Sequence, residues 1–90
     1  MGHSRYSGDE IGRRGKAIYE QHLRSQVETE DNIGKIISID IETGDYAIAD
    51  DLITAGRLVQ AKHPDAAIYG KRIGYNAVYS LGGSLIRTAK

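Results

Sequence analysis

Apolar residues along this chain switch between helical and strand period, and each switch marks an element. From about Gly8 to Val27 they recur at helical spacing, with Ile11, Gly15, Ile18, His22 and Leu23 on one stripe and Tyr19 alongside. Arg13, Arg14, Lys16 and Arg24 fall mostly off that stripe, so the segment predicts an amphipathic helix. Ser7 followed three residues later by Glu10 supplies its start, because hydroxyl and carboxylate can each satisfy an otherwise unpaired backbone N–H. Gly12 and Gly15 each cost about 1 kcal/mol of helix propensity relative to alanine. They either weaken the first turns or permit close packing against another backbone.

After the polar connection "ETEDNIG" the period drops to two. "KIISIDI" places Ile37, Ile39 and Ile41 on one face and Ser38, Asp40 and Glu42 on the other, the pattern of a half-buried strand. "ETGD" is a turn in which Gly44 can take a positive φ, and "YAIA" is the return strand. Asp50 or Asp51 caps a second helix, "DLITAGRLVQAKH", whose stripe is Leu52, Ala55, Gly56 and Val59 with Leu58 at its edge. Lys62 and His63 complement the helix dipole, and Pro64 stops the helix. "AAIYGKRIGYNAVYSLGG" reads as a second hairpin, with Ile68 to Ile73 and Ala77 to Leu81 flanking a turn at Gly74, Tyr75 and Asn76. Loops of two and of three residues both fit, and a one-residue slip exchanges the two faces.

The order α-β-β-α-β-β predicts an α+β fold of two layers, both helices packed on the Ile-rich face of a three- to four-stranded, mainly antiparallel sheet. The second helix is a crossover that places the third strand beside the first and antiparallel to it. Ser38, Asp40 and Glu42 then face water or a partner. Residues 1–7 form a flexible lead, 8–82 a single domain and 83–90 a frayed tail.

Composition agrees with one small domain. Ninety residues bury about 60–65% of the unfolded surface, so the core is small. It draws on twelve Ile, five Leu and three Val, with six Tyr and neither Phe nor Trp. The absence of cysteine removes disulfides and thiolate metal sites. No apolar stretch approaches the roughly 20 residues that span a bilayer. "MGHSRYSGDE" lacks a signal-peptide core, so the expected location is cytoplasmic, with no membrane contact. The net charge of zero hides an uneven distribution: residues 25–51 carry eight acidic side chains against Lys35, and residues 52–90 carry six basic ones against Asp65.

The candidate chemistry starts at "IDIETGD". Its aliphatic run into Asp-x-Glu-Thr-Gly resembles the opening motif of DnaQ-type 3′–5′ exonucleases, in which Asp and Glu on a strand hold paired magnesium ions. Asp40 and Glu42, at i and i+2, would share a side in the same way. The exonuclease pattern requires later motifs that this chain does not supply: after Asp51 its one acid is Asp65, with His63 two residues before it. The usual motif also carries an extra residue between Thr43 and Gly44. "ETG" is similar to the Asp-Thr-Gly loop of retroviral-type aspartic proteases, but Glu42 stands where that chemistry needs Asp. His3, His22 and His63 show no ligand spacing, and no glycine-rich phosphate loop is present. The expectation is a domain with no catalytic set, no cofactor and no metal.

The candidate binding face is the second hairpin, where Tyr69, Lys71, Arg72, Tyr75 and Tyr79 interleave aromatics with cations. Exposed Tyr and Arg anchor protein interfaces, and the same mixture stacks single-stranded bases. Over nearly its whole length the chain resembles a small uncharacterised protein family known mainly from cyanobacteria, through "RYSGDEIGRRGKAIYEQ", "GKIISIDIETGDYAI" and "HPDAAIYGKRIGYNAVYSLGG". That resemblance implies no activity or cofactor. Its members resemble the first genes of two-gene units whose second product looks like an aspartyl protease, which implies an antitoxin- or adaptor-like role. The expected function is therefore protein interaction, with another protein as partner and a homodimer through "YAIA" as a further arrangement. A nucleic-acid-binding domain is the alternative, and a metal-dependent hydrolase at Asp40 and Glu42 the third.

Overall fold

The computed structural model describes residues 6–75 and the backbone of 78–81. Helix α1 (Gly8–Ile18) is capped by the Ser7 side chain, which accepts from the Glu10 N–H, as the capping pattern predicts. It continues through a π-helical turn, Tyr19–Leu23, into α2 (Arg24–Val27). Strands β1 (Ile36–Asp40) and β2 (Tyr46–Ala49) form the first hairpin. Helix α3 (Leu52–Lys62), capped by Asp51 on the Thr54 N–H, leads to β3 (Ile68–Arg72) and β4 (Val78–Leu81). The first turn closes on Gly44 at φ 83°, a backbone region that favours glycine. Asn76, the tail and the first five residues lie outside the described residues. Tyr6, assigned above to the flexible lead, packs against the core.

The fold is α+β, with one antiparallel sheet in the order β2-β1-β3-β4 and helices packed against it. Strands β2 and β3 both run antiparallel to β1, which lies between them, and α3 makes the crossover that joins them.

The placement of both helices on one face is corrected. Ile37 and Ile39 lie beside Lys71 and Tyr69 in register and share the α1 core with Ile11, Tyr19, Leu23 and Val27. Ile68, one residue from Tyr69 and so on the opposite face, packs with Val59 of α3, Ala66 and Ala47. The sheet is thus sandwiched between α1 and α3. This covers every residue of β1, including Ser38 and Asp40, which were expected to face water or a partner and are instead buried under α3 of the same chain. A pattern of isoleucine alternating with Ser and Asp resembles a half-wet strand. Here the second face is apolar through its neighbours Ala47 and Ile68 instead.

The stripe of α1 also differs from the expected one. The buried residues are Ile11, Gly15, Tyr19, Leu23 and Val27, at a constant spacing of four, whereas Ile18 is half-buried and His22 exposed. At 3.6 residues per turn such a series drifts by about 40° per step. The π turn absorbs the drift: the Arg24 N–H reaches back five residues to the Tyr19 carbonyl, and Leu23 and Val27 return to the core.

Candidate functional site

The π turn brings a charged row on the helix against the β3–β4 turn. Glu20, Arg24 and Glu28 sit one wide turn apart. Arg24 bridges them, its Nη1 2.7 Å from Glu20 Oε1 and its Nε 3.3 Å from Glu28 Oε1. Together with Lys71, Gly74 and Tyr75 they line a cleft of about 150 Å³. Beneath it the Tyr19 hydroxyl donates to Glu28 Oε2 at 2.7 Å. The Lys71 ammonium lies 5.1 Å from the centre of the Tyr19 ring and donates to the Tyr75 carbonyl.

The electrostatics of this corner follow from those contacts. The Tyr19 hydrogen bond, followed by the charge of Arg24, holds Glu28 below the usual carboxylate range. Burial, then the Glu28 carboxylate, pushes the Tyr19 phenol well above its usual value, and burial raises Tyr69 also. Above pH ~10 the unfolded chain releases phenolic protons that the folded chain keeps, so stability is complete below that pH and falls above it. Tyr19→Phe is expected to cost about 1–2 kcal/mol at pH 8. That deficit should shrink as urea denaturation is repeated from pH 9 to pH 11, because the variant lacks one of the titrating groups. A deficit independent of pH across this range would contradict the assignment.

Of the five residues proposed from sequence, the structure brings Lys71 and Tyr75 together at the cleft. Tyr69 is 3% exposed and lies under Gly15 of α1, so it belongs to the core. Arg72 points to the opposite face of β3, where its Nη1 donates to the Gly34 carbonyl at 2.7 Å. The side chain of Tyr79 lies outside the described residues. Strand alternation is the reason for the split, since Tyr69 and Lys71 share one face and Arg72 takes the other. Tyr75 is 55% exposed at the mouth of the cleft. Ile33, also an exposed large apolar side chain, lies across Gly74 at its rim. The sequence reading missed Glu20, Arg24, Glu28 and Ile33. The i,i+4 spacing of the first three was visible, but their meeting with Lys71 depends on the tertiary fold.

A second polar corner holds the Asp-x-Glu-Thr-Gly segment. Asp40 accepts from the Glu42 N–H and the Thr43 hydroxyl, each at 2.9 Å, while its carbonyl accepts from the Gly44 N–H at 2.8 Å. The carboxylate therefore builds the hairpin turn. Glu42 instead accepts from the Tyr6 hydroxyl at 2.8 Å. His63, at the end of α3, places Nε2 2.7 Å from Asp45 Oδ2 and Nδ1 3.8 Å from Asp40 Oδ2. That hydrogen bond from His63 holds Asp45 below the usual carboxylate range. Among the described residues no three His, Asp or Glu side chains are grouped to hold a metal ion, and no helix is long and apolar enough to cross a membrane.

Comparison with protein-family models, with curated proteins and with solved structures finds no match.

Proposed function

We propose that the protein is a non-catalytic binding module that docks another protein at the Ile33–Gly74–Tyr75 rim and the charged cleft beside it. The observation that carries this reading is Tyr75, 55% exposed at the mouth of a cleft whose charges already pair with one another. An aromatic anchor flanked by an aliphatic neighbour and an arginine is the composition of interface hot spots. The paired charges set register and exclude wrong partners more than they add affinity. An adaptor- or antitoxin-like role is what the family resemblance adds. Base stacking on the second hairpin has less support, because Tyr69 is core and the Lys71 ammonium is held by a carbonyl and a ring.

The test is affinity capture from the native cell lysate, with and without nuclease, using wild-type protein and Tyr75→Ala. A hot spot contributes about 2 kcal/mol or more, so Tyr75→Ala should reduce capture of a nuclease-resistant protein at least ~30-fold with an unchanged circular dichroism spectrum. Equal capture by the variant would remove this face. Loss of the captured material on nuclease treatment would move the function to nucleic acid.

A further inference from the structure

The outer edge of β2 is a separate surface. No described strand lies beyond β2 in the sheet. The Asp40 N–H donates to the Asp45 carbonyl at 2.8 Å, and inward-facing backbone groups recur at every second residue of an antiparallel ladder. Ala47 and Ala49 therefore turn their N–H and C=O groups to β1, and Tyr46 and Ile48 turn theirs outward. Native edges are commonly protected by Lys, Pro or a bulge. The sequence Tyr-Ala-Ile-Ala has neither Lys nor Pro, and its register with β1 is continuous. Its flanks are charged instead, by Asp45 before it and by Asp50 and Asp51 after it.

Those flanks select the occupant. When a second copy pairs antiparallel along β2 about a two-fold axis, the outward-facing Tyr46 and Ile48 must lie opposite each other, which sets Asp45 opposite Ala49 and diagonal to Asp51 of the other copy. A shift of the register by two residues sets Asp45 opposite Asp51. Either arrangement opposes like charges at both ends, and His63 stands beside one of these carboxylates, Asp45. Because both ends are acidic, a strand with basic ends is complemented in either direction. We infer that β2 accepts, as a fifth strand, an extended segment of another protein that has β-branched residues at its centre and Lys or Arg at both ends. A second copy of this chain is excluded from that edge. The inference does not depend on the Tyr75 rim.

The experiment is amide NMR and hydrogen exchange on the full chain, titrated with a Lys-Lys-Val-Thr-Val-Thr-Lys-Lys peptide and with its Glu-flanked counterpart. The Lys-flanked peptide should slow exchange at Tyr46 and Ile48 while leaving Ala47 and Ala49, already bonded to β1, nearly unchanged. It should bind about tenfold more tightly than the Glu-flanked peptide at low salt, and the difference should shrink at high salt. Asp50→Lys, an exposed substitution outside the ladder, should weaken Lys-flanked binding several-fold. Unchanged exchange at Tyr46 and Ile48 at millimolar peptide would overturn the proposal. So would equal binding of both peptides, or protection produced by raising the protein concentration alone.

Discussion

Gly15→Ala is expected to destabilise the protein by about 3 kcal/mol, with a fall in Tm of roughly 10–20 °C. A Cβ at residue 15 would lie 2.0 Å from Tyr69 Cγ and 2.2 Å from Tyr69 Cβ. These atoms are the root of the side chain, so no rotation of the ring gives relief, and helix and sheet must separate. The effect opposes intrinsic propensity, which favours alanine by about 1 kcal/mol. Gly12→Ala, in the same helix with nothing within 4 Å of the position the new Cβ would take, should stabilise by that amount. Thermal and urea denaturation of the two variants should therefore give opposite signs. A Gly15→Ala protein as stable as wild type would show that α1 is not seated on Tyr69.

Asp40→Ala is expected to cost about 2–3 kcal/mol. Its carboxylate is 2% exposed and holds the Glu42 N–H and the Thr43 hydroxyl that shape the β1–β2 turn. Hydrogen bonds to a charged acceptor are worth about 1.5–3 kcal/mol each, partly offset by the removal of a buried charge. Asp40→Asn, which keeps one acceptor oxygen, should cost less than Asp40→Ala. The result also separates the two readings of the Asp-x-Glu-Thr-Gly segment. Removing a carboxylate held for metal chemistry commonly stabilises a protein, whereas removing a turn-building one destabilises it. Urea denaturation without and with magnesium decides between them. A rise in stability for Asp40→Ala would restore the metal reading.

These two residues also show how far the chain could be read without coordinates. The glycine at position 15 was legible as a site of close approach or a weak turn, but the residue that approaches it was not. Thr43 was legible as a turn residue and Asp40 only as a strand residue. The alternation of Ser38 and Asp40 with isoleucine pointed to a second face in water or under a partner, because the small apolar residues that make that face dry come from β2 and β3. The hairpin assigned to binding contained Lys71 and Tyr75, which do meet at a cleft. It also contained Tyr69, which the strand period directs into the core, and Arg72, which it directs to the opposite face.

Local physics is what the sequence determined by itself: the Ser7 cap, a second cap at Asp50 or Asp51 that the structure assigns to Asp51, the glycine turn at Gly44, the two strand pairings and the antiparallel placement of β3 beside β1. Each depends on residues close in the chain or on one alternating pattern. The tertiary structure alone decided that α1 and α3 take opposite faces, that a π turn keeps Tyr19, Leu23 and Val27 on the core, and that Glu20, Arg24 and Glu28 meet Lys71 and Tyr75. These features depend on which surfaces remain uncovered once the sheet has formed, and a strand's own period cannot say whether its polar side meets water or a helix.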